Sequence, residues 1–355
     1  MQNVRLQMKQ NNFLISKFFN FYILTAAVLL LLAACNNTPN PVETVYEQQS
    51  PDFNADSAYL YIAEQCAFGP RVMNSEAHDA CAAYIAAKFE SFGAQVVNQD
   101  AEGTLYDGTK VQMRNIVASY NLNNPVRLMI CSHWDSRPWA DHDANADNHR
   151  TPIDGANDGA SGVAVMMEIA RQIQLSMVNG QSSMVNGQCS MVNVGVDFIC
   201  FDAEDCGTPE WDDRGEDNSW TWCIGSQYWA GKHHTDGYTA RYGILLDMVG
   251  GNNCVFEKEA YSMAYAPSVV DKVWSKAIRL GYGDLFKNTN GGGVTDDHVQ
   301  VNMSGIPCID IIARDANDNT FCKTWHTKND NVGNINKQTL KAVGQTVMEV
   351  IYTER

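Results

Sequence analysis

The amino-acid sequence predicts an α/β protein of three layers, in which a central mixed, mostly parallel β-sheet is flanked by helices. Three observations lead to this prediction. Short apolar runs of strand length recur along the chain, and amphipathic segments with helical periodicity lie between them. This alternation is typical of sheets whose strands are joined by helices. Acidic and histidine residues also follow the apolar runs, at the positions where open sheets of this class bind ligands.

The predicted elements follow one another in a regular order. Helical periodicity covers residues 57–92, where AYLYIAEQCAF and ACAAYIAAKFESFG repeat apolar residues every three or four positions. The strand-like runs are residues 115–120, 126–131, 194–201, 243–249 and 307–312. The later helices are expected at residues 160–175, 226–232, 267–281 and 337–353. The heptapeptide SMVNGQS is repeated between a helix and a strand, which indicates a local duplication in a surface loop.

The N-terminal residues 1–35 have the pattern of an export signal. Basic residues precede an apolar run over 18–34, and the run ends in Leu-Ala-Ala directly before Cys35. This ending looks like a bacterial lipoprotein box, with Cys35 as the lipidated residue; the alternatives are a plain signal peptide and an N-terminal membrane anchor. We therefore expect an exported lipoprotein on the periplasmic side or cell surface. Residues 36–52 are expected to form a flexible tether and residues 53–355 a single catalytic domain.

Composition excludes several functions. The formal net charge is −16, and the acids are spread along the chain, which argues against binding nucleic acid or docking on anionic lipid. Contact with a membrane is thus expected only through the lipid on Cys35. Phosphate-binding, dinucleotide-binding and nucleophile-elbow motifs are missing from the sequence. Among the eleven cysteines, we expect Cys206 and Cys223 to form a disulfide across a loop.

Polar side chains capable of binding a metal follow each central strand. They are His133 and Asp135, Asp158, Glu204 and Asp205, Asp247, Asp296 to His298, and His326. Each alone has an ordinary explanation; Asp158, for example, suits the N-cap of a helix. Together, carboxylates brought to one sheet edge repel one another unless a cation lies among them. Two carboxylates and a histidine form a suitable zinc set with one position open.

The order of these motifs resembles the zinc aminopeptidase superfamily, which has a phosphorylase/hydrolase-like α/β fold. Within it, the chain is most similar to glutaminyl cyclases (glutaminyl-peptide cyclotransferases) of the animal type and their bacterial lipoprotein relatives. The resemblance extends from FGPRVMNSEAH at residues 68–78 to the C-terminus, and FDAED, TDDH and TWHT are its most specific parts. It implies a zinc-dependent enzyme that cyclises N-terminal Gln of peptides to pyroglutamate and releases ammonia. We expect it to be a monomer.

Two activities within the superfamily remain open at this point. A di-zinc aminopeptidase would use the positions His133, Asp158, Asp205, Asp247 and His326. A cyclase would hold one zinc ion, on Asp158, Asp205 and His326. Three features favour the cyclase: an acid, Asp296, directly before the Asp-His pair; Trp325 before His326; and Trp211 six residues after Asp205. The two tryptophans would then form the substrate pocket.

The resemblance also separates the two acids of FDAED. It implies that Asp205 binds zinc and that Glu204 is the general acid/base. Asp247 and Asp296 would complete the catalytic set by hydrogen bonds to Glu204 and to the leaving amide nitrogen. Most animal members have Glu-Glu at this pair. Because Asp is shorter by one methylene, the backbone must approach the metal more closely here, or the ion must shift.

Overall fold

The computed structural model describes residues 46–178, 192–212 and 218–355, together with two short strands at 183–185 and 188–190. The folded unit begins at Gln48 and ends at Arg355. The predicted signal segment and Cys35 lie outside the described residues. No helix in the described part of the chain is long and apolar enough to cross a bilayer.

The centre of the molecule is an eight-stranded sheet with the order β1-β2-β6-β3-β7-β10-β8-β9. Its strands are β1 (Gln95–Thr104), β2 (Lys110–Tyr120), β3 (Arg127–His133), β6 (Gly195–Phe201), β7 (Tyr242–Asp247), β8 (Cys254–Lys258), β9 (Phe286–Asn290) and β10 (Cys308–Asp315). The pairs β6–β3, β3–β7, β7–β10 and β8–β9 are parallel. The pairs β1–β2, β2–β6 and β10–β8 are antiparallel. The mixed, mostly parallel sheet predicted from the sequence is thus confirmed.

Helices cover both faces of the sheet. They are α1 (Ala55–Cys66), α2 (Glu76–Ser91), α3 (Ala160–Val178), α4 (Ile224–Gly231), α5 (Ala260–Tyr265), α6 (Pro267–Arg279), α7 (Asp297–Met303) and α8 (Lys337–Thr353). Alternate residues of β3 explain the layers: Ile130 belongs to the larger core with α3 and α8, whereas Met129 packs with Trp229 of α4 and Val301 of α7. A strand buried on both faces reads as one continuous apolar run, and this is why the central strands were visible in the sequence.

The long helical pattern at residues 57–92 is two helices rather than one. Gly69 has a φ of +95° and is followed by Pro70, so the chain cannot continue as a helix there. Ser75 caps the second helix, because its side chain accepts the backbone N–H of His78 at 3.1 Å. The resulting loop includes Arg71, which is fully buried.

Three strands of the eight-stranded sheet were not predicted from the sequence: one is an exposed edge strand and two are short. β1 is an edge strand with the sequence QVVNQDAEGT, and most of its side chains are exposed or half-buried. β8 and β9 have only five residues each. An edge strand needs no apolar run, because it is open to solvent on one side. β1 is held in the sheet by its ten-residue pairing with β2.

Two further segments are structured: the end of the predicted tether and part of the heptapeptide repeat. Residues just before 53 are packed on α8, since the backbone N–H groups of Gln49 and Ser50 donate to Glu349 at 3.0 and 2.8 Å, and Ser50 is buried. The folded domain therefore includes the end of the segment expected to be a tether. Within the heptapeptide repeat, β4 (Ser183–Val185) and β5 (Gln188–Ser190) pair in antiparallel fashion.

Candidate metal centre

The carboxyl ends of four neighbouring strands assemble the site. His133 ends β3 and Asp247 ends β7, while Asp205 follows β6 by four residues. His326 lies in the loop after β10, and Asp158 precedes α3. Because β6, β3, β7 and β10 are adjacent and parallel, their carboxyl ends meet at one edge of the sheet. Side chains far apart in the sequence thereby come together.

Three predicted zinc ligands form one compact group. One potential ligand atom from each of Asp158, Asp205 and His326 lies within 4.8 Å of the others, and all three residues are buried. His326 Nε2 is 3.0 Å from Asp205 Oδ1 and 3.7 Å from Asp158 Oδ2. Burial and the positive charge of Arg137 lower the pKa of His326 well below its ordinary value, so its imidazole is neutral, as a metal ligand must be.

A second group shares Asp158 with the first. His133 Nε2 lies 3.0 Å from Asp158 Oδ1 and 3.2 Å from Asp247 Oδ1. Burial acts to lower the pKa of His133, but its hydrogen bonds to Asp135, Asp158 and Asp247 outweigh burial and raise that pKa well above the ordinary value. Carboxylates thus face both ring nitrogens of His133.

Unpaired carboxylate oxygens show that the first group, Asp158, Asp205 and His326, fits a bound cation. Among the described residues, Asp158 Oδ2 and Asp205 Oδ2 are buried without a hydrogen-bond partner. A buried carboxylate oxygen that lacks a partner is destabilising, and a cation satisfies it. Burial raises the pKa of Asp205 to about 8, despite the opposing effect of Arg137. Two carboxylates and a neutral imidazole, with open coordination toward a cavity, are the donor set that zinc prefers.

Supporting residues hold two of the ligands in place. Arg137 donates to both oxygens of Asp141 at 2.9 and 2.5 Å and to the backbone carbonyl of Asp205 at 3.1 Å. Asp141 Oδ1 in turn lies 3.5 Å from His326 Nδ1, on the side of the ring away from the ligand atom. A carboxylate behind a histidine ligand fixes the orientation of its ring.

Asp135 organises the backbone of the acid pair. Its Oδ1 accepts the N–H of Glu204 and its Oδ2 accepts the N–H of Asp205, both at 3.1 Å. Ala203, directly before the pair, has a φ of +53°. A non-glycine residue in this region is strained, and such strain persists only where the surroundings impose it. The strained turn and the Asp135 carboxylate together hold the backbone so that the side chains of Glu204 and Asp205 join different clusters.

The loop before α3 is held from two sides. Asp330 accepts the backbone N–H groups of Asn157 and Asp158 at 2.7 and 3.1 Å. Gly159 has a φ of +102°, and a Cβ atom there would lie 2.2 Å from the carbonyl oxygen of Asp135. Only glycine permits this close approach, which brings Asp158 beside the end of β3.

Glu204 lies next to the metal group but belongs to a different cluster. It comes together with Cys223 and Asp296, with one potential ligand atom of each within 4.8 Å of the others. Cys223 Sγ is 3.3 Å from Glu204 Oε1. Burial raises the pKa of Glu204 well above its ordinary value and that of Asp296 to about 7, and nearby carboxylates act in the same direction.

A cavity of about 370 Å³ opens onto these groups. Its walls include Asp158, Glu204, Asp205, Asp247, Asp296 and His326, together with the aromatic residues Trp222, Phe321 and Trp325. The Trp325 ring is stacked on His326 with centroids 3.8 Å apart. The other predicted pocket residue, Trp211, is not among the described residues that line this cavity. It packs against Trp139 at 5.7 Å and beneath Arg150 at 4.4 Å.

Sequence reasoning missed several supporting residues and was wrong about one bond. Cys206 and Cys223 are both thiols, and Cys223 is turned toward Glu204 rather than toward Cys206. Arg137 and Asp330 were not singled out, because a surface ion pair would give the same sequence pattern.

Comparisons with known proteins agree with this geometry. A solved structure of Bacteroides thetaiotaomicron glutaminyl cyclase, bound to N-acetylhistamine, is 50% identical with a TM-score of 0.80, over 86% of this chain and all of that one. A Zn-dependent exopeptidase from Parabacteroides distasonis is also 50% identical, with a TM-score of 0.79, over 86% of this chain and 99% of that one. A glutaminyl-peptide cyclotransferase of Gloydius blomhoffii is 25% identical over 68% of this chain and 65% of its own length.

The chain spans between about half and two thirds of the length of the curated relatives that it matches. The family model of peptidase family M28 matches residues 115–351, a range that includes both histidines and every carboxylate of the two groups. With the sheet order, the strand-end ligands and this match in agreement, the chain belongs to peptidase family M28.

Proposed function

We propose that the protein is a glutaminyl-peptide cyclotransferase, which cyclises N-terminal Gln residues of peptides to pyroglutamate and releases ammonia. The observation that carries the proposal is that two further acids, Glu204 and Asp296, face the same cavity as Asp205 and His326. A hydrolase of this family needs one acid to activate water. A cyclase instead moves a proton from the substrate's own amine to its leaving amide, and a second acid beside Glu204 suits the hydrogen-bond network that supports this transfer.

One zinc ion is proposed on Asp158, Asp205 and His326. When bound, zinc would supply Lewis-acid polarisation of the glutamine γ-carbonyl. The α-amine of the same residue is already tethered to that carbonyl carbon, so holding the two in one orientation accounts for much of the acceleration. The cavity of about 370 Å³ has room for one small side chain and a chain end. Trp222 and Trp325 would enclose that side chain.

The chain's own residues carry the proton. Glu204 takes a proton from the attacking amine and delivers it to the departing nitrogen, which leaves as ammonia. The new bond joins the α-nitrogen to the γ-carbon, and the bond that breaks joins that carbon to the amide nitrogen. Asp296, which lies beside Glu204, and Asp247, on the same cavity wall, would hold Glu204 and the leaving amide nitrogen by hydrogen bonds. Water takes no part, and the aromatic residues help to exclude it.

The decisive experiment compares two substrates on the purified protein. Ammonia release from a Gln-initiated dipeptide amide is expected, with no free amino acid released from Leu- or Ala-initiated peptides. A matched pair of substrates, Gln-Ala amide and Glu-Ala amide, controls for the leaving group. Only the first has a side-chain γ-amide that can be displaced as ammonia. Release of Leu or Ala without cyclisation of Gln would contradict the proposal.

An aminopeptidase is the second candidate, and one observation favours it. His133, Asp158 and Asp247 form a further group of potential ligands, which could hold a second metal ion. Metal analysis separates the two candidates: about one zinc per chain supports the cyclase, and two support the aminopeptidase. The same sample assayed on both substrate types shows which occupancy accompanies which activity.

The proposal extends to the location of the enzyme. Cys35 would carry the lipid that anchors an exported monomer, so that the active site works on peptides outside the cytoplasm. Its support is the sequence before Cys35 alone. Cys35→Ala should leave the protein in the soluble fraction, whereas the wild-type protein should partition into detergent. Equal partitioning of the two proteins would contradict a lipid anchor at Cys35.

A further inference from the structure

Two buried thiols meet beside the turn that carries His326. Cys254 begins β8 and is 3% exposed, while Cys322 lies in the loop after β10 and is 4% exposed. The neighbouring Cys254 thiol, followed by burial, raises the pKa of Cys322 far above its ordinary value. Neither thiol has a part in the proposed chemistry.

Gly251 lies beside the sulfur atoms of both cysteines. A Cβ atom at Gly251 would lie 2.7 Å from Cys254 Sγ and 3.2 Å from Cys322 Sγ. Both sulfur atoms therefore border one small space, and the missing side chain of Gly251 keeps that space open. Two sulfur atoms that border the same small space meet the first condition for a disulfide.

The backbones also come together at this point. Asp315 of β10 is paired with Cys254, and its N–H donates to the carbonyl of Thr320 at 2.9 Å. The chain from Thr320 onward thus runs back beside Asp315, and Cys322 follows two residues later. The carbonyl of Cys322 accepts the N–H of Trp325 at 2.8 Å, so Cys322 is the base of the turn that presents His326.

We propose that Cys254 and Cys322 form a disulfide bond that fastens the turn bearing His326 to the start of β8. The two thiols lose two protons and two electrons as the sulfur–sulfur bond forms. The electrons pass to a disulfide of a thiol–disulfide oxidoreductase or of oxidised glutathione, which leaves as two thiols. The bond would also support the other side of the metal centre, since Gly250, next to Gly251, donates its N–H to Asn157 at 2.8 Å.

A second thiol pair in the same chain is a built-in control. The Cys308 thiol likewise adds to the effect of burial in raising the pKa of Cys131. Their strands, β3 and β10, lie on opposite sides of β7. Strands separated by one other strand are about 9–10 Å apart, beyond the reach of a disulfide. This pair should remain reduced under conditions that oxidise Cys254 and Cys322.

Peptide mapping tests the bond without any substitution. The full-length protein is equilibrated with oxidised glutathione, denatured, alkylated with iodoacetamide and digested. We expect a linked peptide pair containing Cys254 and Cys322, and alkylated peptides for Cys131 and Cys308. Alkylation of both Cys254 and Cys322, or linkage of either to glutathione or to another cysteine, would overturn the proposal.

Thermal unfolding tests whether the bond fastens the turn. Reduction of the oxidised wild-type protein with a phosphine should lower its unfolding midpoint by roughly 5 °C or more. Cys322→Ser should show no reductant-dependent shift, whereas Cys308→Ser should show the wild-type shift. An oxidised wild-type protein whose midpoint does not change on reduction would contradict a fastening role. Should a variant fail to fold, the wild-type shift and peptide map still decide the question.

Discussion

The thiol of Cys223 donates a hydrogen bond of 3.3 Å to Oε1 of Glu204, the residue proposed to carry the proton. The backbone reinforces this contact, because the N–H of Cys223 donates to the carbonyl of Glu204 at 3.0 Å. Cys223 has a φ of +56°, which is unfavourable for a residue with a side chain. The position of the thiol is therefore imposed by its surroundings, and Cys223 acts as a positioning residue for Glu204.

Substitution of Cys223 tests this positioning role. Cys223→Ala leaves a buried carboxylate oxygen without its donor, and we expect kcat to fall about tenfold, which corresponds to the net free energy of one hydrogen bond. KM should change little, since the thiol does not line the cavity. Cys223→Ser should restore most of the rate, because its hydroxyl can donate. Cys200→Ala, in the apolar core on β6, is the matched control for the loss of a buried thiol.

Steady-state kinetics with a Gln-initiated dipeptide amide gives the split between kcat and KM. If the Ala and Ser variants both retain the wild-type kcat, the thiol does not position Glu204. If both lose activity together with the Cys200→Ala control, the effect comes from packing instead.

Glu204 itself is tested by Glu204→Gln, which keeps the shape of the side chain and removes its capacity to accept a proton. We expect kcat to fall by about 100-fold or more, the usual value of a general acid/base. Zinc content should remain that of the wild-type protein, because Asp205 and not Glu204 belongs to the ligand group. Glu210→Gln, on the wall of the same cavity, is the control. Loss of zinc from the Glu204 variant would show that the two neighbouring acids had been assigned the wrong roles.

The sequence was sufficient to predict which side chains come together at the sheet edge, although their role as zinc ligands stays a prediction. Asp205 and Asp247 follow strands that are buried on both faces, so each strand end is marked by an abrupt change from apolar to acidic residues. The fold then requires these ends to meet, because parallel neighbouring strands all end at one edge. His326 belonged to the set only through the TWHT motif, since nothing in its local pattern distinguishes it from a surface histidine.

Other parts of the site depend on contacts that leave no periodic pattern. Trp222 lines the cavity while Trp211 packs outside it on Trp139, although both lie in the same polar loop. Trp222 packs on Arg137, whose guanidinium lies 4.6 Å from its ring, and nothing in the sequence around Trp222 indicates this contact. Likewise, Asp141 forms a buried pair with Arg137, whereas its sequence neighbours suggest an exposed loop.

Asp135 should control how firmly the metal is held. Its two oxygens accept the N–H groups of Glu204 and Asp205, and Asp135→Asn replaces one acceptor with an NH₂ group that faces another donor. We expect the affinity for zinc to fall by about 10- to 100-fold, as for other residues that orient metal ligands. Titration with zinc against a chromophoric chelator measures the change. Asp100→Asn, on the exposed edge strand, should leave the affinity unchanged, and an Asp135→Asn variant with wild-type affinity would refute the role.

The C-terminus provides a pH-dependent element of stability that lies outside the metal centre. Glu354 is 7% exposed and accepts hydrogen bonds from Arg241, Tyr242 and Lys272 at 2.7, 2.6 and 2.7 Å. Burial acts to raise the pKa of Glu354, but these three donors outweigh it and hold that pKa below the ordinary value of 4.5. The carboxylate form is therefore favoured by the folded state.

It follows that Glu354 stabilises the fold above pH 4.5 and that this contribution disappears as the pH falls through the lowered value. At pH 7, Glu354→Gln should reduce the free energy of unfolding by about 2 kcal/mol, the value of hydrogen bonds to a charged group. The difference between wild type and variant should shrink steadily as the pH falls below 4.5. Urea unfolding from pH 7 downward, with a chelator present throughout so that metal loss at low pH does not contribute, measures it. Glu90→Gln, exposed at the end of α2, should show no such difference at any pH. A difference for Glu354→Gln that stays constant as the pH falls below 4.5 would show that packing, not charge, is responsible.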